Sequence, residues 1–211
     1  KIAKRHRRSL LDTWVKKKFK GRKARYPREI TLRRLLSHSA GLNMHGIGTQ
    51  VPLFEKSMKG ILLGGLSTWR GVRPKRAPGL EYEYSGGGVT VGEHILELET
   101  KQSFSQWATD HVLSPLKMDH STYAKASNSM RNLAHGCSKG VCHYKVMGTK
   151  VKAAGGLLST AGDYARMVAA LMNFGKVDGR QALPEAVIKE VLVAASSIKS
   201  SLKRCTAGAE C

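Results

Sequence analysis

The chain has 211 residues, 41% hydrophobic and 24% charged, with a formal net charge of +21. That length holds one domain or somewhat more with a sizeable core, and the apolar content excludes a disordered chain. No apolar run approaches the roughly 20 residues that a membrane-spanning helix needs, and the charge points towards anionic partners.

The charge is concentrated at the start: fifteen Lys and Arg fall in residues 1–34, against Asp12 and Glu29. Residues 1–28 form a basic lead segment centred on Lys16-Lys17-Lys18-Phe19-Lys20-Gly21-Arg22-Lys23. Its apolar positions Leu10, Leu11, Trp14 and Val15 suit a helix. Non-specific contact with nucleic acid or another polyanion is expected of residues 1–28. A solvated basic face has the same composition. Aromatic interleaving is limited to Trp14, Phe19 and Tyr26, and no helix-turn-helix, finger or RNP pattern accompanies it. Lys1–Arg8 has the charge of a secretory n-region, but Asp12 interrupts the apolar run that should follow. No signal peptide is read, and the compartment stays open.

Thr31 is placed as the N-cap of a helix running to His38 and closed by Gly41. Residues 43–78 are rich in loop formers, with a helix over Phe54–Leu63. Gly79–Gly88 contains Glu81-Tyr82-Glu83-Tyr84-Ser85-Gly86-Gly87, a short extended stretch and a glycine loop that seats Tyr84 at a helix entrance. A phenol, with an ordinary pKa of about 10, exchanges protons with a neighbouring hydroxyl when a cation lowers that value. A tyrosine before glycines is also a common loop anchor.

Val89–Thr100 and Ser103–Val112 read as amphipathic helices around a turn at Lys101-Gln102, the second closed by Pro115. Thr122–Lys152 reads as irregular. Ala153–Gly156 is a small-residue turn. Thr160 caps a helix from Ala161 to about Phe174, and Pro184 opens a last helix over Glu185–Ala195. A polar tail, 196–211, follows a main domain over 29–195. Apolar spacing predicts one core shared by Leu32, Leu35, Leu36, Val91, Ile95, Leu98, Leu157, Met167 and Leu171.

Four cysteines form two close pairs, Cys137/Cys142 and Cys205/Cys211. His135-Gly136-Cys137 with Cys142-His143 has some zinc-hairpin character, but no second knuckle follows. A reduced or locally paired loop fits the spacing. No metal and no cofactor is assigned.

Four segments in order carry a resemblance: Ile30–Leu42 (ITLRRLLSHSAGL), Glu81–Gly87, Leu113–Tyr123 (LSPLKMDHSTY) and Ala153–Arg166 (AAGGLLSTAGDYAR). Together they resemble the penicilloyl-serine hydrolase superfamily of class C β-lactamases, penicillin-binding D-peptidases and β-lactamase-like esterases. The resemblance covers roughly residues 10–190. It implies an α+β, helix-dominated, β-lactamase/transpeptidase-like fold, here mainly the helical domain with a reduced sheet.

Such hydrolases use a serine nucleophile in S-x-x-K, a Y-x-N tyrosine and a K-T-G strand. Tyr84 matches the tyrosine, which makes it the catalytic candidate. Ser85 and Gly86 become substrate-binding candidates, with Gly86 standing where the family has Asn. The resemblance also marks Ser37, His38 and Ser39 as parts of a helix end rather than nucleophiles.

No S-x-x-K precedes Ile30–Leu42, and no K-T-G follows the last motif, so the chain is expected to represent the middle of such a hydrolase. Ser196-Ser197-Ile198-Lys199 does read S-x-x-K, and an i, i+3 spacing puts Ser196 and Lys199 on one helix face. They are the nucleophile candidates, although a chain this rich in Ser and Lys produces such matches by chance. The implied function is hydrolysis of a β-lactam, a D-peptide or an ester through an acyl-serine, truncated or weakly active. The alternatives are a catalytically dead binding module of the same fold and a basic nucleic-acid-binding protein with or without nuclease activity. The family is often periplasmic or secreted.

Overall fold

The computed structural model describes residues 30–45, 58–63, 71–124, 133–134, 136–138, 140–143 and 151–193. The basic lead 1–28 and the tail 196–211, with Ser196 and Lys199, lie outside the described residues. The chain divides into two compact units, one containing residues 1–95 and 194–211, the other residues 96–193.

In the first unit, α1 spans Leu32–Leu36 and is capped by Thr31, whose hydroxyl accepts the Arg34 N–H at 3.3 Å. The helix stops two residues before its expected end. Ser37 caps it, and His38 turns into the left-handed region at φ 55°. Gly41 follows at φ 63°, where a Cβ would lie 2.5 Å from the Arg76 carbonyl oxygen, so only glycine fits. Leu42 then pairs with Pro74 in an isolated antiparallel bridge. A second helix, α2, covers Met58–Leu63 within the expected Phe54–Leu63; residues 54–57 lie outside the described residues.

The third helix, α3, runs over Gly86–Thr100, three residues longer than apolar spacing predicts; its residues as far as Ile95 belong to the first unit and the rest to the second. Gly86, Gly87 and Gly88 form its first turn instead of a loop. Close packing explains the glycines: a Cβ on Gly87 would lie 2.8 Å from Met44 Cβ and 3.0 Å from Val72 Cγ2. Gly88 and Gly92, i and i+4, face Leu35, Leu32 and Leu36 of α1 at ordinary contact distance. The core of this unit includes Leu35, Leu42, Ile61, Leu62, Val72 and Val91, all buried. Leu36, expected in the core, is 56% exposed, because it lies on the last turn of a helix only five residues long.

In the second unit, Ser103 caps α4, Phe104–Ala108, through the Gln106 N–H at 3.2 Å. The helix continues as a π-helical turn, Thr109–Leu113, with Ser114 donating to the Thr109 carbonyl at 2.9 Å. Pro115, which has no N–H to extend the ladder, lies just beyond. Within the expected irregular stretch, β1 (Gly136–Ser138) and β2 (Val141–His143) form an antiparallel ribbon with Cys137 opposite Cys142. These two cysteines are joined as a disulfide. The pairing settles the locally paired alternative and removes both thiolates as zinc ligands.

Thr160 caps α5, Ala161–Met172, by accepting the Asp163 N–H at 3.2 Å. A short ribbon, β3 (Lys176–Val177) with β4 (Arg180–Gln181), follows around Asp178-Gly179. Both turn residues have positive φ, 49° and 73°, the backbone of a type I′ hairpin turn. The last helix, α6, covers Glu185–Leu192 after Pro184. Leu113, Leu116, Met118 and Ala170 make the core here, with Leu157, Met167 and Tyr123 packed against it. The predicted core set therefore divides: Leu35 and Val91 are buried in the first unit, while Leu157 and Met167 belong to the second. Helix dominates the described residues, and strand is limited to the two short ribbons.

Candidate active site

Tyr84 sits at the end of an extended stretch that leaves Gly79 and enters α3. Three donors pin this stretch to the end of α1. The Gly79 N–H donates to the Ser39 carbonyl at 2.8 Å, and the Glu83 N–H to the His38 carbonyl at 2.8 Å. The Ser85 N–H donates to His38 Nδ1 at 3.2 Å. On the outer side Glu83 pairs with Lys75 at 2.6 Å and with Arg76 at 3.3 Å, and Arg76 also pairs with Glu81. These ion pairs are exposed or partly so and contribute little each.

Tyr84 is 39% exposed. The His38 ring lies 4.4 Å from it, centroid to centroid, and the His45 ring 4.8 Å. Tyr82 meets His38 edge-on at 5.7 Å. Tyr84 is thus a partly exposed residue with two imidazoles against its ring, both from the stretch 38–45. Burial lowers the His38 pKa below the ordinary imidazole value.

Ser85 and Gly86 are placed otherwise than Tyr84: both are buried. The Ser85 hydroxyl donates to the Asn43 carbonyl at 2.7 Å and accepts the Gly88 N–H at 3.0 Å, so it caps α3 from below. The Gly86 N–H donates to the His45 carbonyl and the Gly87 N–H to the Met44 carbonyl, both at 3.2 Å. The first-turn donors of α3 are therefore met by the loop 43–45 and by Ser85. Ser37 and Ser39 are joined through their hydroxyls at 2.9 Å, the helix-end role the motif implies.

Residue patterning does not reveal His38 and His45 as neighbours of Tyr84. Both lie about forty residues upstream, and His38 sits in a motif that reads as a helix end. Only the positive φ at His38, a spatial fact, aims its ring at the loop.

In the second unit, two of the quoted motifs meet at Asp163. Its Oδ2 accepts the His120 N–H at 2.8 Å and the Ser121 hydroxyl at 2.7 Å. His120 Nδ1 lies 3.7 Å from its other oxygen. Beside them Thr122 and Leu158 exchange backbone bonds at 2.8 and 2.9 Å. Burial pushes the Asp163 carboxyl up, but the Ser121 and His120 hydrogen bonds and the His120 charge outweigh it and hold the group below its usual range. An acceptor so fully engaged holds two chain segments together.

With this geometry in place, the comparisons with known proteins are informative. The Beta-lactamase family model matches residues 5–207. The chain belongs to the Beta-lactamase family, a family of serine hydrolases. Among curated proteins it is similar to Protein flp of Staphylococcus aureus (strain MW2), 39% identical over 59 residues, which is 28% of this chain and 12% of flp. Among solved structures it is similar to a class C β-lactamase, with a TM-score of 0.60 at 21% identity over 88% of this chain and 49% of that one. It is also similar to a D-stereospecific amidohydrolase from Streptomyces sp., with a TM-score of 0.57 at 19% identity over 87% and 56%. These likenesses show the β-lactamase/transpeptidase-like fold. The chain spans about half the length of those solved structures and 12% of flp. No helix among the described residues is long and apolar enough to cross a membrane.

Proposed function

We propose that this chain carries the tyrosine segment of a serine hydrolase that opens a β-lactam, a D-peptide or a simple ester through an acyl-serine. Tyr84 relays the proton between the attacking serine and the leaving group. The observation that carries the reading is Tyr84 itself. It is a partly exposed tyrosine at the entrance of α3, flanked by the Glu83 and Ser85 N–H groups, both bonded to His38, and by the Ser85 hydroxyl, bonded to Asn43. Ser85 and Gly86 support substrate binding by fixing that entrance. Ser196 with Lys199 remains the nucleophile pair on offer in the tail. The division into a basic lead 1–28, a main domain 29–195 and a polar tail 196–211 belongs to the same proposal.

The reaction class dictates the test. An acyl-serine enzyme is labelled covalently by a fluorophosphonate or by a fluorescent penicillin. Mass spectrometry of the labelled full chain is expected to find one modified serine, with Ser196 the first position to inspect. Absence of any adduct, together with no turnover of nitrocefin or a chromogenic ester, would overturn the reading.

A second reading rests on the net charge of +21 and its concentration in residues 1–34. Residues 1–28 retain polyanions without sequence preference. Deleting about the first twenty residues then weakens retention on heparin and flattens its salt dependence. Unchanged retention would remove this reading.

A further inference from the structure

Two of the three donors that pin the Tyr84 stretch, the Glu83 and Ser85 N–H groups, converge on one residue. His38, one position past the cap of α1, adopts φ 55° and so leaves the helix line. Its carbonyl accepts the Glu83 N–H at 2.8 Å and its ring Nδ1 accepts the Ser85 N–H at 3.2 Å. A side-chain nitrogen thus takes the second acceptor position that a neighbouring strand would supply to donors at i and i+2. Tyr84 lies between these two donors, and its ring rests on the His38 ring at 4.4 Å.

We propose that His38 is the positioning residue for Tyr84, and that protonation of its ring releases the Tyr84 loop. This rests on the reading of Tyr84 as the proton relay and adds a regulation of that site. Donor and acceptor counts at His38 decide this. A neutral imidazole offers one lone pair, and here Nδ1 uses it on Ser85, which places the ring proton on Nε2. An imidazolium carries N–H on both nitrogens, so a proton on Nδ1 would face the Ser85 N–H, donor against donor. Ser85 is buried and its hydroxyl is already engaged, so its N–H has to find another acceptor by moving the loop.

Tyr82, Tyr84 and, through Tyr84, His45 meet His38 by their rings. Glu83 approaches by its backbone, and its carboxylate is taken by Lys75 and Arg76, with Glu81 also on Arg76. Arg34 lies on its own helix, with its guanidinium against Gly79. Burial favours the neutral ring. The sign follows from that lowered folded-state value. The histidine contributes full stability above about pH 6.5 and loses it as the pH falls through the window down to the lowered pKa.

The experiment is a pH titration of the full-length chain by NMR, from about pH 8 to about pH 5. Long-range nitrogen correlations of the histidines report the tautomer, and the Ser85 amide reports the loop. The expected result is a His38 ring protonated on Nε2 alone at the upper end, with the Ser85 amide and the Tyr84 ring shifting at the same midpoint as His38, below the ordinary histidine value. A His38 ring carrying its proton on Nδ1, or a Ser85 amide indifferent to the His38 titration, overturns the proposal. His38→Asn offers an oxygen acceptor that does not titrate. It is expected to hold the Ser85 amide in place across the range and to remove the step, whereas His38→Leu should displace it at every pH. If wild type turns over an ester, its kcat should fall about tenfold per pH unit below the His38 midpoint, and His38→Asn should lack that limb. If nothing turns over, the hydrolase reading fails, while the coupled titration still decides the role of His38.

Discussion

The starts of α3 and α5 solve the same problem in opposite ways, and the difference marks where function is to be sought. Every helix begins with N–H groups that its own ladder leaves unpaired. At α5 one exposed side chain, Thr160, accepts one of them, and Gly162 in the first turn has open space around it, with Thr160 Oγ1 the nearest atom at 4.0 Å. At α3 the first-turn donors are met by Ser85 and by two carbonyls of the loop 43–45. There Gly87 sits 2.8 Å, measured from its would-be Cβ, from Met44. The cap of α5 is local and Gly162 beside it is tolerant, although Asp163 in the same turn holds His120 and Ser121. The α3 start is over-determined by parts of the chain far apart in sequence.

The sharpest way to break this comparison is to add one methyl group to each helix. Gly87→Ala is expected to cost about 1–3 kcal/mol in urea unfolding, since Met44 Cβ and the Val72 methyls must shift. A neutral outcome at Gly87 would mean that the α3 start is not tightly packed.

The two caps give the next effect. Ser85→Ala removes an acceptor from the buried Gly88 N–H and a donor from the Asn43 carbonyl, and should cost about 1–2 kcal/mol. Thr160→Ala, at an exposed cap, should cost only about 0.5–1 kcal/mol. Equal losses would erase the distinction between the two starts.

Acid should discriminate the units as well. Asp163 has its carboxyl lowered, so the stability it contributes is present above about pH 3.9 and is lost as the pH falls through its folded-state value. His38 acts higher, through the window below about pH 6.5. Amide exchange followed against pH should show the 82–88 segment loosening first and the 119–124 segment only in strong acid. The reverse order would contradict both assignments.

The smallest effect is expected at Gly162→Ala. It should be neutral or gain about 0.5 kcal/mol, because alanine has the better helix propensity and meets no neighbour. A clear loss there would show that the α5 start is more crowded than its surroundings indicate.

What was legible in the sequence follows the same division. Thr31 and Thr160 announce their helices because a cap and the apolar spacing behind it are local signals, and both cap in the structure, as does Ser103, which the spacing places inside its helix. Gly86–Gly88 could not be read as helix. Three glycines oppose helix by propensity, and the acceptors that make them helical come from residues 43–45. The β3–β4 ribbon had a local mark in Asp178-Gly179, but strands of two residues leave no alternation to recognise. Tyr84 stood out through its motif. Its two imidazole neighbours did not, since ring contact across some forty residues has no sequence period.

The central claim is that Tyr84 moves the proton, and Tyr84→Phe tests it most directly. The two full-length proteins are compared side by side for turnover of nitrocefin and a chromogenic ester, with circular dichroism confirming the same fold. The account predicts that Tyr84→Phe lowers kcat/KM about 10²–10⁴-fold, the span of a proton-transfer group, while thermal stability changes little because the ring and its contacts with His38 and His45 are kept. Turnover that survives Tyr84→Phe unchanged would contradict it.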